Sequence, residues 1–394
     1  MKKSISDINV NGKRCLVRVD FNVPLDKSGK VADDSRITAA LPTIEYLSEH
    51  GAKVILCSHL GRPKGAFKPE LSLRPAAERL CELLGRNVIF AEDVAGDDTE
   101  RKVESMKDSD VLLMENLRFK KEEEANDPDF CRRLASFADI YVNDAFGTAH
   151  RAHASTAGVA AYVKHCVSGF LIEKELKFLG GALENPERPF VAVLGGAKVS
   201  DKIGVIDNLI DKVDTLLVGG GMAYTFLRAE GVKTGKSLCE EEKVRLAEEL
   251  VFKARQKGVK LLLPVDHVAA YSVEKGEHFV CKRDIPDDMM GVDIGPKTAD
   301  MFAKELSQAR TVVWNGPMGV FENSDYAEGT FRVARAVADS GAVSIVGGGD
   351  SVSAISLSGL KDKITHVSTG GGASLEFLEG KTLPGIACLD EKEG

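Results

Sequence analysis

Phe190-Val191-Ala192-Val193-Leu194-Gly195-Gly196-Ala197-Lys198-Val199-Ser200-Asp201-Lys202 is the stretch from which the rest of the chain can be read. Its five leading apolar residues form the short unbroken run of a strand buried on both faces. Two glycines break the run, and Ile203, Ile206, Leu209, Ile210 and Val213 follow at helical spacing. Strand, glycine turn and amphipathic helix together make half of a βαβ unit, the building block of a parallel sheet. Lys198 and Lys202 are four residues apart, so a helix opening here puts both on one face of its first turn. Lysine is the disfavoured charge at a helix N-terminus, and a departure from a local rule marks function. A pair of solvated surface lysines is the plainer alternative.

The same module recurs in both directions along the chain. Before residue 170 the apolar runs are Cys15–Val19, Val54–Cys57, Val111–Met114 and Ile140–Val142. Each ends in polar side chains: Asp20 and Asn22, His59 and Arg62, Asn116 and Arg118, Asn143 and Asp144. Beyond residue 189 the runs Phe190–Leu194, Leu216–Val218, Val312–Trp314, Ser344–Val346 and His366–Val367 end instead in glycine. Ligands of open parallel sheets sit beyond the carboxyl ends of the strands. Arginine, histidine and asparagine there suit a compact anion, whereas bare backbone suits a polyphosphate that must approach N–H groups closely.

These patterns predict an α/β protein of two doubly wound parallel-sheet (Rossmann-like) domains, residues 1–170 and 171–380. A helix over Ser168–Leu179, stopped by Gly180-Gly181, is the expected connector. A length of 394 residues fits two or three domains. The balance of 52 basic to 60 acidic residues, net −8, argues against a general nucleic-acid binder. No run approaches the ~18 apolar residues of a membrane span. Met1–Asp7 has charges with no apolar stretch behind them, which is not the form of a signal peptide. The eight cysteines show no CxxC pair or metal-ligand spacing and read as reduced, buried thiols of a cytoplasmic protein.

Gly231–Ser237 imitates a phosphate loop, but its first glycine is one residue too close and no strand precedes it. No dinucleotide fingerprint follows a strand, which disfavours a nicotinamide-dependent dehydrogenase. Gly347-Gly348-Gly349-Asp350-Ser351 ends a strand in a glycine turn, where Asp350 suits either a helix N-cap or Mg²⁺ beside phosphates. Thr369-Gly370-Gly371-Gly372-Ala373-Ser374 offers free amides before a helix beginning near Ser374. In the first half Arg18, Asp20, Asn22, Arg36, His59, Arg62, Arg118, His150, Arg151 and His153 form a scattered set of anion-binding candidates. Lys120-Lys121-Glu122-Glu123-Glu124 reads as a solvated surface stretch.

At these motifs the chain resembles the phosphoglycerate kinases. The resemblance is carried by Leu16–Pro24, Ser58–Pro63, Glu115–Phe119, Asn143–Arg151, Leu194–Val199, Gly291–Pro296, Trp314–Glu322, the Gly347–Ser351 turn and the Thr369–Ala373 loop, in order over nearly the whole chain. It implies reversible phosphoryl transfer between 1,3-bisphosphoglycerate and ADP, giving 3-phosphoglycerate and ATP. It implies that Asp20, Asn22, Arg36, His59, Arg62, Arg118 and Arg151 hold the phosphoglycerate. The nucleotide falls to Lys198, Lys202, Gly219, Gly291, Asn315, Pro317, Glu322, Gly348, Gly349, Asp350 and Ser351, with Mg²⁺ on Asp350. Arg36, Lys198 and the amides of Gly370, Gly371 and Gly372 are the expected catalytic groups. The resemblance also implies a monomer closing about a hinge, with a tail of about 381–394 returning to the first domain. A carboxylate nucleophile with a pKa near ~3.5 is already ionised at neutral pH, which accounts for the lack of an obvious general base. A catalytically silent nucleotide-binding regulator of the same fold is the alternative; it would be marked by loss of Arg36, Lys198 or Asp350, and all three are present.

Overall fold

A computed structural model of the chain describes residues 1–274 and 276–392; Lys275 of the expected second domain and Glu393 and Gly394 of the expected tail lie outside the described residues. The chain divides into two compact units, one of Met1–Lys177 with the chain from Thr382 onward, the other of Phe178–Lys381.

The first unit is built on β1 (Arg14–Val19), β2 (Lys53–Cys57), β3 (Ile89–Phe90), β4 (Val111–Leu113), β5 (Ile140–Asp144) and β6 (Cys166–Ser168). All pair in parallel, in the order β3-β4-β2-β1-β5-β6. The order reverses direction between β1 and β5, so a crevice opens beyond the ends of those two strands. One sheet face packs Val17, Val19, Val54, Leu56 and Val142 against Ile37, Ile44 and Leu47 of the helix Ser35–Glu49 and Leu80 of the helix Arg74–Leu84. The C-terminal segment adds to this unit: Asp390 N–H donates to Cys166 O (2.8 Å), and Gly385 N–H to Ala149 O (2.9 Å). Asn143, at the end of β5, donates its side-chain amide to Gly385 O (2.7 Å).

The second unit contains β7 (Phe190–Leu194), β8 (Thr215–Val218), β9 (Lys260–Leu262), β10 (His267–Ala270), β11 (His278–Cys281), β12 (Met290–Ile294), β13 (Thr311–Asn315), β14 (Val343–Gly347) and β15 (His366–Val367). Six of these form a parallel sheet, β15-β14-β13-β7-β8-β9, whose order reverses between β7 and β13. Trp314 sits in its core with Val191, Val193, Leu217, Phe302, Val333 and Val346. The other three form an antiparallel sheet, β11-β10-β12, that the strand pattern does not reveal. Its edge strand β11 is exposed over His278–Val280, and its apolar stretch is only Phe279–Cys281, too short to stand out.

The connector differs from the expected helix. Helical turns run from Phe170–Glu175 through a π-turn, Leu176–Gly180, to Gly181–Glu184. Gly180-Gly181 therefore lies inside the helical segment. The stop falls at Asn185, whose extended preference is imposed by Pro186.

Candidate active site

At the ends of the first unit's strands the polar residues converge. Asp20, just past β1, accepts from Arg36 Nη1 at 2.6 Å. Arg36 comes from the first turn of the helix Ser35–Glu49 and stays 41% exposed while paired. His59, just past β2, is buried, with Nδ1 3.2 Å from Arg18 Nη2 and 4.0 Å from Asp20 Oδ1. A guanidinium only donates, so Nδ1 accepts and the neutral ring carries its proton on Nε2. Burial and the charges of Arg18, Arg118, Arg36 and Arg151 push His59 well below its ordinary value, so it is neutral at pH 7. His153 is lowered to about 4 by burial and by the charge of Arg118.

Gly61 links two further candidates: its N–H donates to Asn22 Oδ1 (2.9 Å) and its carbonyl accepts from Arg118 Nη1 (2.8 Å). Arg118 is buried and stands 3.3 Å from Glu124. Arg151 Nε donates to His150 Nε2 (3.2 Å). Arg62, beside Gly61, is exposed and has no side-chain partner among the described residues. Arginine charge thus outweighs carboxylate around the neutral ring, the electrostatics of an anion trap. Arg18 stands apart from the other candidates because its guanidinium is wholly buried, on Ser155 Oγ, Val19 O and His59. The Lys120–Glu124 run is not a purely solvated stretch. Glu123, in the turn Lys121–Glu124, is 1% exposed and accepts from Ser155 N (3.0 Å) and Oγ (2.6 Å). Charge alone could not distinguish it from its neighbours.

In the second unit the glycine turns after β7, β8 and β13 form one backbone knot. Gly195 N–H donates to Asn315 O, Gly196 N–H to Pro317 O and Gly220 N–H to Met318 O, each at 3.0 Å. Gly196, Gly220 and Gly316 have φ of +106°, +67° and +101°, which side chains disfavour. A Cβ on Gly220 would lie 2.6 Å from Gly196 N, and one on Gly219 2.5 Å from Met318 Sδ. Much of the glycine content therefore serves the close approach of three loops, with Gly219 and Pro317 inside the knot.

This knot also corrects the position of the lysines. The helix begins at Ile203, with Lys202 at its N-cap, so Lys198 and Lys202 do not share a first helical turn. Gly196 O accepts from Met222 N (3.0 Å) and Ser200 N–H is held by Glu240 (3.0 Å), which draws the intervening residues off a helical path. Lys198 is exposed, without a hydrogen-bond or ion-pair partner among the described residues. Lys202 Nζ donates to Asn315 Oδ1, and burial lowers it to about 8. Asn315 is itself buried, and among the described residues its Nδ2 has no hydrogen-bond partner. A Cβ on Gly348 would lie 3.0 Å from that nitrogen, so the orphaned donor borders the Gly348 turn.

Gly348 caps the helix Gly349–Leu357, whose first intrahelical bond is Val352 N–H to Gly348 O. The amides of Gly349, Asp350 and Ser351 precede it and have no intrahelical acceptor. Asp350 is exposed, and its carboxylate makes no hydrogen bond or ion pair among the described residues. Ser351 has a buried hydroxyl already accepting from Gly316 N (2.6 Å), so its side chain ties the knot to this helix. In the last glycine loop Gly370 N–H is committed to Ser368 Oγ (3.1 Å). Gly371 (φ +43°), at the N-cap, and Gly372, the first residue of the helix Gly372–Leu378, remain. Gly291 and Glu322 lie toward the antiparallel sheet. Gly291 N–H donates to Ser237 Oγ (2.8 Å), and Val320, near the exposed Glu322, pairs with Val292 O (2.8 Å). Among the described residues neither hydrogen-bonds to Lys202, Asn315 or the Gly348 turn.

Among the described residues no cluster of three or more His, Cys, Asp or Glu could hold a metal ion by itself. No helix among them is long and apolar enough to cross a membrane.

The family model for phosphoglycerate kinase matches residues 5–381. A phosphoglycerate kinase of Clostridium botulinum (strain Hall) is 60% identical over 99% of this chain and 99% of its own length. One from Clostridium tetani is 58% identical, over 99% of this chain and 98% of its own. The solved phosphoglycerate kinase of Coxiella burnetii superposes with a TM-score of 0.91 at 45% identity, covering 98% of both chains. That of Pyrococcus horikoshii OT3 gives 0.83 at 36% identity, again over 98% of both. The chain therefore belongs to the phosphoglycerate kinase family, the enzymes that pass a phosphoryl group between 1,3-bisphosphoglycerate and ADP to give 3-phosphoglycerate and ATP.

Proposed function

We propose that the two halves of this reaction are divided between the two units. In the first unit Asp20, Asn22, Arg36, His59, Arg62, Arg118 and Arg151 take 3-phosphoglycerate or 1,3-bisphosphoglycerate. In the second, Lys198, Lys202, Asn315, Gly348, Gly349, Asp350 and Ser351 take the nucleotide phosphates, and Gly219, Gly291, Pro317 and Glu322 border the rest of the nucleotide. The observation that carries this division is the pair of contrasting strand ends. One sheet ends in a neutral His59 within the field of four arginines. The other ends in an orphaned Asn315 amide beside free helix amides.

The acceptor carboxylate arrives ionised, so transfer is direct and in line and needs positioning and charge stabilisation. Arg36, Lys198 and the amides of Gly371 and Gly372 supply that stabilisation, with Gly370 anchoring the loop. Asp350 would hold Mg²⁺: an exposed, partnerless carboxylate beside phosphate-binding amides fits an ion that takes one or two carboxylates plus substrate phosphates. When bound, the ion neutralises charge on the transferring phosphates. Eight free thiols suit the reducing cytoplasm. The net charge of −8 offers nothing to nucleic acid, and no proposed site needs a second copy of the chain, so it acts as a monomer.

Lys202 provides the test. It is charged below about 8 and neutral above, and a phosphate favours the charged form. ADP binding should weaken by about tenfold from pH 7 to 9, while Lys202→Arg, which stays protonated, should remove that slope. Calorimetric titration with ADP and 3-phosphoglycerate separately reads both units. If 3-phosphoglycerate rather than ADP follows this pH dependence, or neither does, the division is wrong.

A further inference from the structure

We infer that Glu123 and Ser155 are positioning residues for the substrate-anion site: they hold Arg18, and Arg18 fixes the His59 ring with its hydrogen on Nε2. The inference rests on His59 belonging to the 3-phosphoglycerate site proposed above.

The four residues form a chain of buried polar contacts, at exposures of 1% for Glu123, 0% for Ser155, 1% for Arg18 and 5% for His59. Ser155 Oγ donates to Glu123 Oε1 at 2.6 Å and accepts from Arg18 Nε at 2.8 Å. Arg18 Nη2 then donates to His59 Nδ1 at 3.2 Å. Direction matters at each link. A serine hydroxyl has one hydrogen, and the carboxylate claims it, so a lone pair must face Arg18. Arginine has no acceptor, so it can meet His59 only as a donor, and Nδ1 must be bare. The carboxylate and the serine thus fix where Arg18 sits, and Arg18, which can only donate, sets which imidazole nitrogen carries the proton.

Charge ties the same residues together. Arg18 lies within the fields of the cluster that includes Arg118, and Glu123 is pushed upward by burial while the charge of Arg18 opposes that push. A buried carboxylate is a weak source of stability, and an apolar residue of similar size often does as well. Its place amid a run of surface charges is therefore better explained by a demand from the site than by a need of the turn Lys121–Glu124.

The experiment uses the full chain with ¹⁵N-labelled histidine. The His59 ring signals are identified by their loss in His59→Gln. The wild type should show the Nε2–H tautomer and respond to 3-phosphoglycerate. Glu123→Gln should give a tautomer mixture and about tenfold weaker 3-phosphoglycerate binding, with ADP affinity unchanged. Ser155→Ala, which keeps the carboxylate and removes the bridge, should move the same readouts and decides the matter if Glu123→Gln does not fold. Retention of a pure Nε2–H signal in the folded variant would overturn the inference, whether or not substrate affinity falls. A wild-type His59 that ignores 3-phosphoglycerate would instead refute the site reading, while the tautomer shift still reports on the relay.

Discussion

Arg36→Ala is expected to lower kcat by about 10²–10³ while leaving the Kd for ADP within about twofold. Arg36 is held at 2.6 Å by Asp20 and keeps 41% of its side chain exposed, so it is oriented without being consumed by its partner. Such a cation can meet charge that grows on a transferring phosphoryl group, and only interactions stronger in the transition state raise kcat. The groups proposed to take the nucleotide lie in the other unit, so on that proposal ADP affinity has no reason to follow. Steady-state kinetics with calorimetric ADP binding separates the two. An equal loss in kcat and ADP affinity would refute a transition-state role.

Gly316→Ala should abolish most nucleotide binding, with an increase in Kd for ADP of about a hundredfold, and should spare 3-phosphoglycerate. Gly316 has φ +101°, where a side chain is strained by about 1–3 kcal/mol, and its Cβ would lie 3.0 Å from Gly195 Cα. Its carbonyl is gripped by Trp314 Nε1 (2.7 Å) and its N–H by Ser351 Oγ (2.6 Å), so the added carbon has little room to escape. Any shift moves Asn315, the residue that holds Lys202, and the start of the helix Gly349–Leu357. A melting temperature lower by about 5 °C should accompany the loss. A folded variant with unchanged ADP affinity would show that the backbone knot does not shape the site.

The inner parallel strands were legible because both their faces are covered, which writes uninterrupted apolar runs such as Phe190–Leu194 into the sequence, whereas the short edge strands Ile89–Phe90, Cys166–Ser168 and Lys260–Leu262 leave no such run. The antiparallel sheet was not legible, because its strands are short and mixed: β11 offers only Phe279–Cys281, and Gly291 and Asp293 interrupt β12. Strand-end chemistry was legible as residue type but not as commitment. Nothing in the sequence shows that the Ser351 hydroxyl is taken by Gly316, or the Gly370 amide by Ser368. Lys198 and Lys202 were misplaced on a common helical turn because local periodicity cannot see Gly196 gripping Met222 and Glu240 gripping Ser200. Glu123 was hidden for the converse reason: one turn of four residues is too short for a buried face to emerge against its charged neighbours. The connector overran its glycine pair because glycine only weakens a helix, whereas Pro186 constrains the residue before it.

The proposed division of substrates between the two units is tested by one measurement, a backbone amide chemical-shift titration of the full chain with 3-phosphoglycerate and with ADP in turn. With 3-phosphoglycerate alone, the largest shifts should fall on residues 20–22, 36, 59–62, 118 and 151. With ADP alone, they should fall on residues 196–202, 315, 316, 348–351 and 371–372. Shifts from either ligand concentrated in the other ligand's set would contradict the account.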